Sequence, residues 1–517
     1  MTSIPEYDLL VIGGGINGTG IARDAAGRGL RVLLCEKDDL AAHTSSASTK
    51  LIHGGLRYLE YYEFGLVRKA LKEREVLLRA APHIIRPLRF VMPYVPSLRP
   101  AWLIRAGLFL YDHLSRREML PGSTGVRLRR HPAGAPLMDS IVRGFIYSDA
   151  WVDDARLVVL NALDARERGA TVLTRTRFVS AERHVKSWLA QIVTDGEQPS
   201  TIRARAIVNA GGPWASKLLR QTIEHTQHND LRLVKGSHIV TRKLFDHDHA
   251  YIFQNPDKRI VFAIPFQGEF TLIGTTDVEY HGDPAKVQIS SDEVDYLCES
   301  VNRYFKRQIS PADAVWSYSG VRPLLAGEDA DNPSAVTRDY QLDLDAPGDQ
   351  APVLSIFGGK ITTFRRLAED AVDLLKDALA FDRSAWTATT PLPGGDLPNA
   401  DFNAFFADFR KRYPWLPDAL AQRYARSYGS LVHHILREAK SPTALGEELS
   451  SGLFEIEARY LVEQEWAMTA DDVLWRRSKL GLHANEESIS RLTDWLATKR
   501  SETAQLTSIE RLERASG

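Results

Sequence analysis

Gly13-Gly14-Gly15-Ile16-Asn17-Gly18 constrains the fold of this chain more than any other segment. It follows residues 7–12 (YDLLVI), an aliphatic run of strand length, and leads into INGTGIARDAAGRG, whose small and apolar residues recur at helical spacing. Residues 31–35 (RVLLC) then predict a second buried strand ending at Glu36, 23 residues after Gly13. A GxGxxG at a strand end inside such a unit has one job per glycine. Gly13 permits the tight turn, Gly15 lets backbone approach a pyrophosphate, Gly18 lets helix and strand pack closely, and the helix N-terminus faces the anion. Glu36 is placed to hold ribose hydroxyls and would repel a 2'-phosphate, which argues against NADP. A dinucleotide is expected; the motif alone does not separate FAD from NAD.

After Glu36, the stretch KDDLAAHTSSASTKLIHGGLRYLE gathers hydroxyls at Thr44, Ser45, Ser46, Ser48 and Thr49, then places His53-Gly54-Gly55 ahead of Arg57-Tyr58. Hydroxyls in such a loop can bond phosphate and ribitol oxygens, and paired glycines let backbone pass close to a flat ring. On composition alone, a solvated serine-rich loop is the simpler reading. Two more strand-to-glycine turns are legible: residues 206–209 (AIVN) run into Ala210-Gly211-Gly212, and residues 354–357 (LSIF) run into Gly358-Gly359 with a helical pattern from Lys360 onward. That last helix N-terminus is expected to stabilise negative charge on a bound ring.

At 517 residues, two or three domains are expected. With 44% hydrophobic residues, 25% charged residues and a formal net charge of -1, the chain is globular and offers no global field for nucleic acid. Its two cysteines, Cys35 and Cys298, have no metal-ligand spacing, so neither a zinc site nor a disulfide framework is expected, and a reducing compartment fits. The N-terminus does not read as a signal peptide, and no run reaches the ~18–20 apolar residues of a spanning helix.

These segments closely resemble the aerobic, respiratory FAD-dependent glycerol-3-phosphate dehydrogenases, within the larger amine-oxidase-like group of flavoproteins. The likeness runs through IGGGINGTG, TSSASTKLIHGGLRYLE, GSTG at 122–125, YSDAWVDDARL at 147–157 and NAGGPW at 209–214. It continues in KGSH at 235–238, GTTDVEY at 274–280, YSGVRPL at 318–324 and FGGKITTFRRLAE at 357–369, so it covers essentially the whole chain. It implies an α/β fold in which a FAD-binding Rossmann-like domain is interleaved with an antiparallel-sheet substrate domain, followed by a C-terminal α-helical cap domain. The FAD domain would take segments near 1–80, 150–215 and 350–385 of residues 1–390, and the substrate domain mainly 81–149 and 216–345. Residues 260–264 and 270–275 read as two strands of the latter, around a turn at 267–269. A boundary is expected at PLPGG, 391–395, with 396–517 helical. There, Thr469 to Asp472 reads as a capping box opening an amphipathic helix, whose Arg476-Arg477 pair reads as structural.

The resemblance also implies the site. FAD would be held by Gly13, Gly14, Gly15, Asn17, Gly18 and Glu36, by Thr44, Ser45, Ser46, Ser48, His53, Gly54 and Gly55, by Ala210, Gly211 and Trp214, and by Asp277, Gly358, Gly359, Lys360 and Thr362. The implied substrate, sn-glycerol 3-phosphate, is a dianion that needs at least two fixed cations. Arg57, Arg322 and Lys360 are expected to supply them, with Tyr58 and Thr275 orienting the substrate. Oxidation to dihydroxyacetone phosphate sends a hydride from C2 to flavin N5 and needs an acceptor for the hydroxyl proton. An arginine equivalent to Arg322 lies beside the reacting carbon in the family, yet a guanidinium of pKa above ~12 is a poor base. Arg322 therefore reads as a stabiliser of the developing alkoxide. His53 and His238 have the better intrinsic pKa for the proton, although each reads equally as a structural hydrogen-bonder.

Residues 98–117 (LRPAWLIRAGLFLYDHLSRR) bracket an apolar run with basic and aromatic residues, suiting either a helix in the membrane interface or a core-facing helix with a solvated rim. The resemblance favours the first: a peripheral protein on the inner, cytoplasmic face of the cell membrane that reduces ubiquinone or menaquinone, with a homodimer as the family's suggestion. Two rivals stand beside it, a soluble oxidase that hands electrons to oxygen and a flavin-containing binding protein.

Overall fold

The computed structural model describes residues 4–96, 99–222, 231–325 and 339–516. The chain divides into two compact units, Met1–Leu392 and Pro393–Gly517.

Among the described residues, the first unit is built on two large sheets. One has eight strands. Its spine runs Gln341–Asp345, Val353–Phe357, Ser200–Asn209, Glu6–Ile12, Val32–Cys35, Thr171–Leu173. From Val353–Phe357 to Thr171–Leu173 the neighbours pair in parallel. Parallel strands are covered on both faces, which is why their sequences are unbroken aliphatic runs: Leu9, Leu10, Val11 and Leu34 have no exposed surface. The helix Ile16–Gly27 packs against Asp154–Glu167 and Phe364–Leu374. Three neighbouring parallel strands, ending at Phe357, Asn209 and Ile12, thus each run into a glycine turn at the same carboxyl edge, where open α/β sheets bind ligands.

The other sheet has ten strands, mostly antiparallel. Ala314–Leu325 pairs with Leu231–Arg242 over almost its whole length, setting Gly320 opposite Gly236, Ser319 opposite Ser237 and Tyr318 opposite His238. The expected hairpin is present as Ile260–Phe266 and Phe270–Gly274. A buried aromatic cluster including Phe245, Tyr251, Phe253 and Phe305 fills one face of this sheet.

Four local expectations are corrected. Leu51–Ile52, inside the segment assigned to the nucleotide domain, pairs with Arg143–Val152 in the ten-stranded sheet, because a two-residue strand carries no periodicity to assign it. Gln341–Asp345, assigned to the substrate domain, pairs with Val353–Phe357 in the other sheet. The helix expected from Lys360 begins at Phe364, because residues 361–363 turn first. The Thr469 box does form, with the Asp472 amide on Thr469 Oγ1 (3.2 Å) and the Thr469 amide on Asp472 Oδ2 (2.9 Å), but it opens a six-residue π-helical segment, Asp472–Arg477, and not an extended amphipathic helix. There Arg476 pairs with Asp472, and Arg477 donates to the Glu465 carbonyl at 2.6 Å.

The second unit packs the helices Phe402–Arg412, Asp418–Tyr428, Glu455–Glu465 and Glu486–Ser516 with a short hairpin, Glu448–Ser450 and Leu453–Phe454. Its core includes Tyr424, Tyr428, Leu461 and Val473.

Candidate active site

A cavity of about 740 Å³ in the first unit takes walls from both sheets. Its floor is the edge where the three glycine turns meet. A Cβ on Gly13 would lie 2.6 Å from the Ala210 carbonyl oxygen, and one on Gly18 would lie 1.9 Å from that of Gly13, so neither position admits a side chain. The Gly14 amide donates to Glu36 Oε2 (2.7 Å) and the Asp38 amide to Oε1 (2.8 Å). Burial pushes the Glu36 carboxyl upward, opposed in part by these two amides. Asn17 Nδ2 reaches the Gly358 carbonyl (3.2 Å), bridging the first turn to the third, while its Oδ1 is buried with no hydrogen-bond partner among the described residues. The crowded glycines, the acid at the second strand end and this unmatched acceptor fit a bound dinucleotide.

The hydroxyl loop forms the next wall, and a buried ion pair fixes it. Lys50 Nζ lies 2.8 and 2.9 Å from the two carboxylate oxygens of Asp154, both side chains fully buried, and also donates to the Ser46 carbonyl (3.0 Å). Ser48 gives its amide (3.2 Å) and hydroxyl (2.8 Å) to the same carboxylate. Ser45 Oγ accepts from the Ile16 amide at the start of the first helix (3.0 Å), and Thr44 Oγ1 donates to the Val321 carbonyl (2.8 Å). The loop is therefore ordered, not a solvated turn.

On the ten-stranded side, Arg322 Nη2 donates to the Thr276 carbonyl (3.2 Å) and pairs with Asp277 Oδ1 (2.9 Å). His238, across from Tyr318, stacks on that ring at 4.8 Å, and its Nε2 lies 3.0 Å from Thr49 Oγ1. Nδ1 is buried with no hydrogen-bond partner among the described residues. Burial, then the positive charges of Lys50 and Arg322, hold this imidazole well below its ordinary pKa, so it is neutral near pH 7. Lys360 Nζ sits 3.9 Å over the Tyr58 ring, and Arg57 Nη2 is 3.4 Å from the Tyr61 hydroxyl.

Most residues singled out from sequence line this one cavity. From the first three segments these are Gly13, Gly15, Asn17, Glu36, Thr44, Ser45, Ser48, His53, Gly55, Arg57 and Tyr58. From the later motifs they are Ala210, Gly211, Trp214, His238, Thr275, Asp277, Arg322, Gly358, Gly359, Lys360 and Thr362. Four others stand behind the wall. Gly14 backs onto Glu36, Gly18 packs on Gly13, Ser46 donates to the His43 carbonyl, and Gly54 donates to the Tyr111 hydroxyl (2.8 Å), which in turn donates to Asp149 (2.7 Å). His53 is tied through its amide to Thr362 Oγ1 (3.2 Å). Sequence reading passed over Lys50, Asp154 and Tyr318, and read Thr49 only as one of the loop hydroxyls and not as the partner of His238. Lys50, Thr49 and Tyr318 stand inside quoted motifs and Asp154 inside YSDAWVDDARL, but their pairing spans over 100 positions and only the folded chain reveals it. Glu36, Asp38 and His43 lie close enough to suggest a cation site, but Asp38 is paired with Lys37 and His43, and Glu36 is held by two amides.

A dinucleotide cradle merged with a cationic pocket defines a class of flavin-dependent oxidoreductase, and the comparisons agree. Residues 8–340 match the family described as FAD dependent oxidoreductase, and residues 385–502 match the C-terminal domain of alpha-glycerophosphate oxidase. The chain belongs to the FAD-dependent oxidoreductase family. Within it, the glycerol-3-phosphate dehydrogenase of Pseudomonas aeruginosa is 54% identical over 95% of this chain and 95% of its own length. The aerobic glycerol-3-phosphate dehydrogenase of Escherichia coli is 52% identical, covering 95% and 97%. The D-erythritol 1-phosphate dehydrogenase of Brucella abortus is also 52% identical, covering 94% and 97%. The structure of the glycerol-3-phosphate dehydrogenase from Bacillus halodurans complexed with FAD superposes with a TM-score of 0.74 at 28% identity, over 95% of this chain and 94% of that one.

Proposed function

We propose that this protein oxidises sn-glycerol 3-phosphate to dihydroxyacetone phosphate and passes the electrons to a quinone at the inner face of the cell membrane. The observation that carries the reading is the convergence of Arg57, Arg322, Lys360 and a neutral His238 on the cavity that also holds the dinucleotide cradle. The relatives named for glycerol 3-phosphate support the substrate.

FAD, when bound in the glycine cradle, supplies the hydride acceptor. Lys360, Arg57 and Arg322 provide the positive charge that a phosphate dianion and a developing C2 alkoxide require. Tyr58 and Thr275 line the same wall and orient the glycerol portion. His238 is neutral and lines the cavity, so it can accept the C2 hydroxyl proton, and an arriving dianion raises its basicity by offsetting Lys50 and Arg322. His53 remains the second proton acceptor in reach of the cavity.

Membrane association rests on the helix Ala101–His113, where Trp102 and Phe109 are 72% and 55% exposed and Leu103 and Leu110 are also exposed. No helix among the described residues is long and apolar enough to cross a membrane, so this reading is one of a helix lying in the interface.

Anaerobic mixing of the purified yellow protein with glycerol 3-phosphate tests the chemistry. The flavin band near ~450 nm should bleach with glycerol 3-phosphate and not with glycerol or lactate, since the cofactor carries the reaction whatever the final acceptor. D-erythritol 1-phosphate belongs in the same series, because a 52% identical relative bears that name. Faster bleaching by the longer phosphate would move the substrate reading to it, and no bleaching by either would overturn it. Turnover with a quinone analogue against turnover with oxygen alone separates the dehydrogenase from the oxidase.

A further inference from the structure

Two of the motifs that form the substrate wall, 235–238 and 274–280, meet behind it at one buried carboxylate that belongs to neither, and a third, 318–324, is joined to them through Ser237. Glu293 begins as an ordinary capping-box residue of the helix Ser291–Asn302: its Oε2 accepts from the Ser290 amide (2.9 Å) and hydroxyl (3.1 Å). A capping-box glutamate usually ends its role there, facing water. Here the residue is 5% exposed and both oxygens are used inward. Oε2 pairs with Lys235 Nζ at 2.7 Å, and Oε1 accepts from Ser237 Oγ (2.9 Å) and Thr276 Oγ1 (2.7 Å).

The chain of contacts leads from this carboxylate to the site. Thr276 Oγ1 also accepts from the Ser237 amide (2.9 Å), so the hydroxyl is locked in one orientation, its hydrogen toward Glu293. Ser237 Oγ meets Ser319 Oγ (2.8 Å), three residues before Arg322 on the same strand. The Thr276 carbonyl and the Asp277 carboxylate both receive Arg322 Nη2. Beneath them, a Cβ on Gly236 would come within 2.8 Å of Thr275 Oγ1 and 3.0 Å of Arg322 Nη2, so the guanidinium lies close over this backbone with little room for error. Burial would raise the Glu293 carboxyl, but the hydrogen bonds from Lys235, Thr276, Ser290 and Ser237 hold it below the usual range, so its acceptors stay charged and available.

We infer that Glu293 is a positioning residue for the oxidation: it fixes the turn at Thr275, Thr276 and Asp277 and thereby aims Arg322 into the cavity. This rests on the reading of Arg322 given above. Glu293 touches no substrate; its effect passes through Thr276 and the strand pair.

The test is a double-variant cycle in the FAD-loaded protein, using whichever polyol phosphate bleaches the wild-type flavin. In Glu293→Gln, whichever way the amide turns, one set of donors loses its acceptor, either Ser237 and Thr276 or Ser290 and Lys235. The limiting rate constant for flavin reduction is expected to fall about tenfold to a hundredfold, the size of loss that small misplacements produce, with a smaller change in substrate affinity. Glu293→Gln combined with Arg322→Lys should be no slower than Arg322→Lys alone, because both act through one guanidinium. Losses that multiply would overturn the inference. Thr276→Val, which leaves the Lys235 pair intact and removes only the linking hydroxyl, should slow reduction in the same direction, and it carries the test if the glutamine variant folds poorly. A crystal structure of the glutamine variant, or of Thr276→Val in its place, decides independently of substrate: contacts from Arg322 to Thr276 and Asp277 that are unchanged from wild type would overturn the inference. Failure of wild-type flavin to bleach would fall on the substrate reading alone.

Discussion

At the scale of the residue, the wall that does chemistry is defined by what burial does to charge. His238 is enclosed between Thr49 and Tyr318 with two cations nearby, and its proton affinity is depressed by burial, then by Lys50 and Arg322. The linkage has a definite sign. Unfolded histidine binds a proton near its ordinary 6.5, the folded site only at lower pH, so stability from this group is present above about 6.5 and is lost as pH falls below it. In His238→Asn, the fall of melting temperature between about pH 7 and pH 5 should therefore be shallower than in wild type, by thermal unfolding of the FAD-loaded protein. Reduction of the flavin by glycerol 3-phosphate should slow by about 10²-fold to 10⁴-fold, the usual contribution of a positioned base, with FAD content unchanged. A rate within about threefold of wild type would remove His238 as proton acceptor and turn attention to His53. Residue types and motifs made this wall legible in advance, with Arg57, Tyr58, His238, Arg322 and Lys360 all reaching the cavity. The ion pair that orders the hydroxyl loop was not legible, because Lys50 and Asp154 stand 104 positions apart and each alone reads as a surface charge.

At the scale of the element, the first helix shows how much a periodic pattern tells and where it stops. Strand, glycine turn and helix were readable from residues 7–27 because hydrophobic run and GxGxxG agree. What the pattern does not disclose is the charge buried along that helix. Asp24 lies 2.7 Å from Arg28, both side chains fully buried, and Arg28 also reaches Asp373 (2.5 Å) on Phe364–Leu374. Burial first, then the nearby negative charges of Glu369 and Asp373, outweigh Arg28 and raise the Asp24 carboxyl from 3.8 to about 6. Because the folded state now holds its proton more tightly than the unfolded chain, this group's contribution is greatest below about 4 and declines as pH rises through 6. Ionising it there costs about 3 kcal/mol. Asp24→Asn removes the titration, so the melting temperature of the variant relative to wild type should improve from about pH 4.5 to pH 8. A difference that stays flat with pH would show that Arg28 neutralises Asp24 fully in the folded protein.

At the scale of the whole molecule, the exposed apolar helix packs against the segment that carries Arg57 and Tyr58. Ala101–His113 has thirteen residues, about 20 Å of helix against a hydrocarbon core of ~30 Å, so it can only lie along a bilayer. Trp102, Leu103, Phe109 and Leu110 share its exposed face, while Leu108 and Tyr111 are buried. The buried Tyr111 holds the Gly54 amide, and Arg99 pairs with Glu60 (2.5 Å) in Leu56–Tyr61, the segment that carries Arg57 and Tyr58. Tyr62 on the adjoining turn is 79% exposed. The sequence showed the apolar run and its basic flanks at 98–117, although Leu98 lies outside the described residues. It did not show that most of the flanking charges are committed: Arg99 is paired with Glu60, Arg105 donates to Ser123 (3.0 Å) and Arg117 pairs with Asp112 (3.1 Å), while Arg116 is exposed. Membrane binding by this face should accordingly be driven by apolar insertion far more than by attraction to anionic headgroups. Each large side chain contributes up to about 1.5–3 kcal/mol when fully removed from water, so Trp102→Ser with Phe109→Ser should weaken partition into phospholipid vesicles by about tenfold to a thousandfold. Flavin reduction by substrate in solution should be unchanged. In vesicle co-sedimentation, raising salt to about 0.5 M should release little of the wild-type protein. Binding that survives both substitutions, or that salt abolishes, would place the membrane contact elsewhere on the molecule.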